Sequence, residues 1–291
     1  MKIKLAVFGN PVAHSLSPLI HQHFAAQCGH AVSYDRILVD QDFASQVQAF
    51  YRSGAQGCNI TVPCKLDAYA LSTELTARAS LAKAVNTLKF LGFDEDQQRL
   101  LALGDNTDGA GFFQDLQRLK FPLKQAKILI LGAGGATRGI LPPLMDKSAQ
   151  VSSICLVNRT PAKALAILDD LHAQIAGAEH LALSACSYDN LSPDRDFDLI
   201  INATSLSLHQ KLPALPDALY RKASMVYDLY YTPTGTTVFT AHARALGVAQ
   251  CVDGLGMLVG QAALSYQLWT GTLPDIQSTL TYMRTVLQER A

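Results

Sequence analysis

Short apolar runs alternate with longer stretches of helical periodicity along the first third of the chain. The apolar runs predict strands and the stretches between them predict helices. We expect strands at residues 3–8, 33–38, 57–62 and 84–90, helices near 18–28 and 42–53, and a third helical stretch ending near 82. Residues 93–99, rich in Asp and Gln, predict the loop of a hairpin that joins 87–90 to 100–103. This alternation indicates an α/β domain.

The second part of the chain continues the alternation with short, almost wholly apolar strands. After a helix near 109–119, such runs occur at 127–131, 154–158, 181–185, 199–202 and 225–228. Strands that are apolar on both faces are typical of a parallel, doubly wound sheet of the Rossmann-like kind. The stretch 255–289 predicts helices, of which we expect part to pack back onto the first domain. We therefore expect an α/β fold with domains at 1–107 and 108–253 and C-terminal helices at 254–291.

Composition narrows the classes of partner. A length of 291 residues suits two domains, and 49% hydrophobic with 16% charged residues is typical of a globular chain. Lys plus Arg equals Asp plus Glu, at 24 each, so the positive excess of a nucleic-acid or membrane-surface binder is absent. No apolar run approaches the ~18 residues of a membrane span, and the first residues do not form a signal-peptide core. We therefore expect neither a nucleic acid nor a membrane as a partner.

The six cysteines are scattered, without a C-x-x-C pair or a His cluster at zinc-like spacing. Such cysteines are typical of small buried side chains in a reducing compartment. The sequence therefore predicts a cytoplasmic protein with no metal site.

A strand, a glycine-rich turn and the start of a helix follow one another at 127–137, in the order that a dinucleotide site requires. The turn would hold a pyrophosphate on the free N–H groups of the helix N-terminus. Thr137 stands where the fingerprint has its third glycine, and the turn alone would also suit a simple tight connection or S-adenosylmethionine. The turn consists of Gly132, Ala133, Gly134, Gly135 and Ala136.

The residues after the next predicted strand bear on the choice of dinucleotide. An acidic side chain at this place binds a ribose 2′-hydroxyl and repels a 2′-phosphate. Here the chain has Asn158, Arg159 and Thr160, followed by Lys163, which offer donors and positive charge. These residues would also fit a solvated first helical turn, but their position after the glycine turn favours NADP over NAD.

Each candidate substrate residue, considered alone, has both a functional and a purely structural interpretation. The hydroxyls of Ser15 and Ser17 could bind a carboxylate, whereas Ser17 before Pro18 also suits a helix N-cap. Lys65 follows a predicted strand and a proline, yet a lone lysine is usually a solvated surface group. Asp108 could serve only to cap the following helix.

Taken together and in order, these segments closely resemble the shikimate dehydrogenase family over nearly the whole chain. The resemblance rests on the segments 9–11, 15–18, 59–65, 84–87, 106–109, 132–136, 158–160, 202–205 and 253–258, with Gln261.

That resemblance implies an NADP-dependent oxidoreductase that converts 3-dehydroshikimate to shikimate in aromatic amino acid biosynthesis. It implies that residues 1–107 bind the substrate and 108–253 bind NADP. Lys65 and Asp108 would be the catalytic pair, with Lys65 as general acid and base. The other substrate contacts would be Ser15, Ser17, Thr61, Asn86, Tyr231 and Gln261. The cofactor contacts would be Gly132 to Ala136, Asn158, Arg159, Thr160 and Lys163, with Thr204, Leu229, Gly254 and Met257 near the nicotinamide half.

Two positions depart from the family pattern. Residues 206–210 lack a glycine that many relatives carry. Lys163 stands where arginine is common, so the compact charge of an ammonium replaces the planar set of donors of a guanidinium. The alternatives are a broader quinate/shikimate dehydrogenase and a catalytically silent NADP-binding sensor. The sequence is compatible with a monomer or a homodimer.

Overall fold

The protein, described here from a computed structural model over residues 2–290, divides into two compact units. Within the described residues, unit 1 comprises 2–111 and 259–283, and unit 2 comprises 112–258 and 284–290. Residues 1 and 291, which the predicted domains include, lie outside the described part of the chain.

Unit 1 is built on a six-stranded mixed sheet of order β2-β1-β3-β5-β6-β4. Strand β1 runs parallel to β2 and β3, whereas β5 is antiparallel to β3 and to β6. The predicted hairpin is confirmed, since β5 and β6 pair along their length. The strands are β1 (Ile3–Gly9), β2 (Val32–Leu38), β3 (Gly57–Ile60), β4 (Glu74–Leu75), β5 (Thr87–Asp94) and β6 (Arg99–Asp105).

Apolar side chains at helical spacing dock the helices of unit 1 on this sheet. Helix α2 buries Phe43, Val47 and Phe50 on one face, and the rings of Phe43 and Phe50 meet Phe8 of β1 edge-on. The Asp42 carboxylate caps α2 by accepting from the Ser45 N–H at 2.8 Å. The helices are α1 (Ser17–Cys28), α2 (Phe43–Arg52), α3 (Lys65–Leu71) and α4 (Ala77–Ala82).

Helix α1 begins one residue earlier than the capping interpretation requires. Ser17 is its first residue, Leu16 is the N-cap, and no side chain caps the helix end. The expectation that Ser17 is the N-cap is therefore wrong, because Ser17 is already helical and its hydroxyl is bonded to that of Ser15. Pro18 is therefore the second residue of the helix and not, as expected, the first.

Unit 2 contains a six-stranded, fully parallel sheet of order β12-β11-β10-β7-β8-β9. Read along the chain, this is the doubly wound order, in which the direction of strand addition reverses between β7 and β10. The strands are β7 (Lys127–Leu131), β8 (Ser153–Val157), β9 (Ala182–Cys186), β10 (Leu199–Asn202), β11 (Met225–Asp228) and β12 (Gln250–Val252). The helices between them are α6 (Gly135–Met145), α7 (Pro161–His172), α8 (Asp217–Lys222) and α9 (Val238–Ala245).

Three further helices, α5 (Asp108–Arg118), α10 (Leu255–Thr270) and α11 (Ile276–Glu289), complete the fold. The part of α10 and α11 from 259 to 283 belongs to unit 1, as the predicted return of the C-terminal helices requires. There the Trp269 indole donates to the Leu88 carbonyl at 2.9 Å. Glycine at position 111 allows α5 and α10 to approach, since a Cβ there would lie 2.4 Å from the Gln261 nitrogen.

The α/β fold class is therefore as the sequence predicts. Among the helices of residues 2–290, none combines the length and apolar character needed to cross a bilayer.

Candidate active site

Lys65 and Asp108 form an ion pair in unit 1. Lys65 is the first residue of α3, just after β3, and Asp108 is the first residue of α5, just after β6. The Lys65 Nζ lies 2.5 Å from Asp108 Oδ2, and the side chains are 30% and 14% exposed. The ammonium is therefore held by a charge-assisted hydrogen bond and still accessible to a ligand.

Asn86 fixes the second oxygen of Asp108. The Asn86 Oδ1 accepts from the Thr107 backbone N–H at 2.9 Å, and a backbone N–H can only donate. The amide orientation is thereby determined, and the Asn86 Nδ2 faces Asp108 Oδ1 at 2.8 Å. Asn86 also places Gln261 in this group, through a longer contact of 3.5 Å to the Gln261 Oε1.

Ser15 and Ser17 form a second polar group of unit 1, at the start of α1. Their hydroxyl oxygens lie 3.1 Å apart, and the Ser17 N–H donates to Ser15 Oγ at 3.3 Å. Burial raises the pKa of the Tyr34 hydroxyl, which belongs to the same unit. Tyr34 therefore remains a neutral hydroxyl.

A buried hydrogen-bond network that the sequence did not reveal connects Tyr34 to the Lys65–Asp108 pair. The Tyr34 hydroxyl donates to Asn59 Oδ1 at 2.7 Å, and Asn59 Nδ2 donates to Ser265 Oγ at 3.0 Å. The Ser265 hydroxyl in turn meets those of Thr87 at 2.7 Å and Thr107 at 3.2 Å, both of which bond Asn86. Continuous hydrogen bonds thus run from Tyr34 to Lys65 inside unit 1.

The other two predicted substrate residues lie outside this network. Thr61 follows β3 and packs against Gly9, where a Cβ would lie 2.3 Å from the Thr61 methyl carbon. Tyr231 belongs to unit 2 and stacks on Tyr230 with ring centroids 6.1 Å apart. Burial raises the pKa of Tyr231 to about 12, with smaller contributions from Tyr230 and Asp253. Their contacts with a substrate stay predictions.

Unit 2 contains a pocket of about 590 Å³ beyond the carboxyl ends of β7, β8 and β10. A doubly wound sheet binds its ligand at this position. The predicted residues that line it are Gly132, Ala133, Gly134, Asn158, Arg159, Thr160, Lys163 and Thr204; the lining residues that the sequence analysis did not single out are Tyr188, Ala203, Ser205, Leu206, Leu212 and Ala214.

The glycine turn fits the close approach of a ligand. Gly132 has a φ of +106°, a conformation that favours glycine, and its carbonyl accepts from the Thr137 hydroxyl at 3.0 Å. Thr137 therefore ties the turn to α6 where the fingerprint has its third glycine. Beside Gly134 and Gly135 the space that a Cβ would occupy is open.

The mouth of this pocket is cationic. Arg159, Thr160 and Lys163 are exposed, and the Asn158 side chain donates to the Thr160 carbonyl at 2.9 Å to shape the turn. The residues that line the pocket include no aspartate or glutamate. This arrangement suits a ligand with an additional phosphate.

The remaining predicted cofactor residues lie apart from the pocket lining. Gly135 and Ala136 begin α6, and Leu229, Gly254 and Met257 gather near the end of β11. A Cβ at Gly254 would lie 2.2 Å from the Leu229 carbonyl oxygen, and the Met257 N–H donates to the Tyr227 hydroxyl at 3.2 Å. Their contacts with a cofactor stay predictions.

The loop that departs from the family pattern is ordered by buried hydrogen bonds. Residues Ser207–His209 form a short 3-10 turn, and the buried Ser207 hydroxyl donates to Asp228 Oδ2 at 2.6 Å. Asn202 accepts from the Thr204 N–H at 3.1 Å and donates to Ser207 Oγ at 3.1 Å. The backbone of Thr204 is thereby fixed at the pocket without a glycine.

The described residues contain neither a disulfide nor a cluster of metal ligands. All six cysteines are free. Across 2–290, no three His, Cys, Asp or Glu side chains converge as metal ligands would.

The family models and the relative that match this chain agree with one another. Family models match residues 7–88 (shikimate dehydrogenase substrate binding domain), 115–209 (shikimate / quinate 5-dehydrogenase) and 254–287 (shikimate 5′-dehydrogenase C-terminal domain). A protein of Aromatoleum aromaticum named shikimate dehydrogenase (NADP(+)) is 45% identical, over 97% of this chain and 96% of its own length.

Solved structures are similar over the same extent. Shikimate 5-dehydrogenase from Thermus thermophilus, in complex with NADP(H) and shikimate, has a TM-score of 0.79 and 31% identity, covering 98% of this chain and 99% of its own. Ligand-free 5-ketofructose reductase of a Gluconobacter strain has a TM-score of 0.81 and 27% identity, covering 98% and 99%.

Proposed function

This chain belongs to the shikimate dehydrogenase family, and from that membership we propose that it catalyses the reversible, NADPH-dependent reduction of 3-dehydroshikimate to shikimate. The enzyme is an oxidoreductase that acts on a CH–OH group, and its place is in aromatic amino acid biosynthesis.

The Lys65–Asp108 pair is the observation that carries this proposal to particular residues. Reduction of a ketone leaves negative charge on the carbonyl oxygen, which must be protonated as it develops. Lys65, 2.5 Å from Asp108 and still accessible, is suited to donate that proton and to take it back in the reverse direction. Asp108, held on its other oxygen by Asn86, orients the lysine.

The remaining contacts are assigned by the same reasoning. Ser15 and Ser17 bind the substrate carboxylate through their paired hydroxyls. Asn86 and Gln261, next to the ion pair, position the ring hydroxyls, and Thr61 and Tyr231 contribute further contacts to the ring.

The cofactor is NADP, which supplies or accepts the hydride when bound. Unit 2 supports this assignment through its glycine turn, its open pocket and its cationic mouth. Residues 132–136 hold the pyrophosphate, and Asn158, Arg159, Thr160 and Lys163 hold the adenosine 2′-phosphate. Thr204, Leu229, Gly254 and Met257 are assigned to the nicotinamide half.

Domain roles and location follow as part of the proposal. Residues 1–107 form the substrate-binding domain, 108–253 form the NADP-binding domain, and the helices of 254–291 pack on the substrate-binding domain. The free cysteines support a reducing, cytoplasmic location. The ligands are small molecules, and the assembly is a monomer or a homodimer.

Replacement of the proposed acid tests the assignment. Lys65→Ala should lower kcat by at least about 100-fold, the usual loss for an acid/base group, while NADP⁺ binding measured by calorimetry is unchanged. Lys89→Ala, which removes a lysine from β5, is the matched control and should retain activity. If Lys65→Ala keeps turnover within about tenfold of the parent, Lys65 is not the acid.

A further inference from the structure

Arg36 is an exposed residue of β2 whose guanidinium reaches the loop that precedes α1. Its Nε and Nη2 both donate to the Ser15 carbonyl oxygen, at 2.9 and 2.6 Å. A guanidinium has five N–H donors, so this contact leaves others for a ligand. Arg36 is thus tied to one of the two serines that form the candidate carboxylate site.

The charge of Arg36 is not neutralised by the protein. Within the part of the chain that the structure describes, no carboxylate lies within ion-pairing distance of this guanidinium. Other arginines of unit 1 and unit 2 do have carboxylate partners, as Arg78 does in Asp105 and Arg284 in Asp253. The Ser15–Ser17 pair itself supplies hydroxyls and no charge.

The charge also lies close enough to act on an anion at the serines. Within one residue the side-chain Oγ and the carbonyl oxygen are at most about 5 Å apart. Adding the bond to Arg36 places the guanidinium within about 8 Å of Ser15 Oγ, inside the ~10 Å screening length at moderate salt.

We propose that Arg36 determines specificity for an anionic substrate, by presenting an uncompensated positive charge to the carboxylate that Ser15 and Ser17 bind. The inference rests on the proposed function and deepens it: the two serines provide hydrogen bonds that any polar group could use, and Arg36 provides the preference for a carboxylate over a neutral group. Arg36 acts on binding and not on the hydride or proton transfer.

The test compares shikimate with its uncharged methyl ester, using NADP⁺ as oxidant. At an effective dielectric between the protein surface and water, removal of the charge in Arg36→Gln should raise the KM for shikimate about fivefold, with kcat within about twofold. The KM for the ester should stay unchanged. Arg36→Lys keeps the charge and should retain most of the preference for shikimate.

Salt supplies a second readout, because a partly exposed charge is screened. Raising the salt concentration should increase the KM of the parent protein for shikimate and have a smaller effect on Arg36→Gln. The matched control is Arg99→Gln, which removes the same charge at the start of β6, about 20 Å along the strand from its Asp105 end. This control should leave both KM values unchanged.

Two results would overturn the proposal. An unchanged KM for shikimate in Arg36→Gln would show that the charge has no effect. An equal rise of KM for the acid and the ester would show that Arg36 serves only to hold the Ser15 loop. Failure of the proposed function looks different, since the parent protein itself would then not oxidise shikimate.

Discussion

At the scale of single residues, the donors around Asp108 decide what this position can be. Both of its partners, the Lys65 ammonium and the Asn86 Nδ2, donate hydrogen bonds. A carboxylate accepts on both oxygens, whereas an amide would turn an NH₂ group toward one of the two donors. The site therefore requires an acid here and not merely a polar side chain of the same shape.

Asp108→Asn should accordingly lower kcat by about 100-fold, with a smaller change in the KM for shikimate, because the lysine loses its orientation. Steady-state kinetics measure both quantities. Asp96→Asn, in the exposed loop of the β5–β6 hairpin, is the control and should behave as the parent does. Nearly full activity in Asp108→Asn would contradict the role assigned to the pair.

Arg159 is the residue on which cofactor choice should depend most. If Arg159 binds the 2′-phosphate that only NADPH carries, as proposed, loss of its guanidinium removes a pair of donors to that group. Arg159→Ala should raise the KM for NADPH by about tenfold or more and leave the KM for NADH unchanged. Parallel titrations with the two cofactors check this, and an equal rise for both would show that Arg159 contributes only general attraction.

At the scale of elements, one hydroxyl of α10 joins several parts of unit 1. Ser265 meets Asn59 of β3, Thr87 of β5 and Thr107 before α5, so a single side chain joins these elements around Asn86. Ser265 is fully buried, and without its hydroxyl these groups would lose a partner where water cannot replace it.

Ser265→Ala should therefore reduce the free energy of unfolding by about 1–3 kcal/mol, measured with urea. Ser278→Ala removes an exposed hydroxyl from α11 and should have almost no effect. A stability equal to that of the parent would mean that the network is satisfied without Ser265.

The elements that sequence periodicity predicted are those with long apolar runs. The hairpin of β5 and β6 and the strands β7 to β11 of unit 2 are of this kind, and all were predicted to within a few residues. Strand β12 covers only Gln250–Val252 and β4 only Glu74–Leu75, too short for an alternation to be recognised. The antiparallel pairing of β5 with β3 joins strands that are distant along the chain, and local patterns do not report such pairing.

The residues of the candidate site also fall into those that the sequence predicted and those that it did not. Lys65, Asp108 and the glycine turn carry their signal in short motifs, and the structure brings Lys65 and Asp108 together. Asn59 and Ser265 are 206 positions apart, and Arg36 meets Ser15 through the pairing of β2 with β1. Contacts of this kind depend on tertiary structure, so no local pattern could predict them.

At the scale of the whole molecule, acid should weaken the fold through His21. This histidine is fully buried, with its ring stacked on Tyr34 at 4.4 Å, and burial lowers its pKa from 6.5 to about 3 against a smaller contribution from Asn59. The unfolded chain therefore binds a proton between pH 6.5 and 3 that the folded chain does not. Stability is complete above this window and falls as the pH decreases through it.

Between pH 7 and pH 5 the parent protein should lose about 2 kcal/mol of unfolding free energy through this residue, and His21→Phe should not show that loss. Urea denaturation at the two pH values measures the difference. His172→Gln, at an exposed position of α7, is the control and should keep the slope of the parent. The same slope in His21→Phe as in the parent would contradict the account.

Formation of reduced cofactor, followed by its ultraviolet absorbance, shows whether the protein oxidises shikimate. Purified protein is given shikimate or quinate, each with NADP⁺ or NAD⁺. We expect fast turnover only with shikimate and NADP⁺. Comparable rates with quinate or NAD⁺ would contradict the assigned specificity and indicate a broader quinate/shikimate dehydrogenase, and no turnover with any pair would indicate an NADP-binding protein without catalysis.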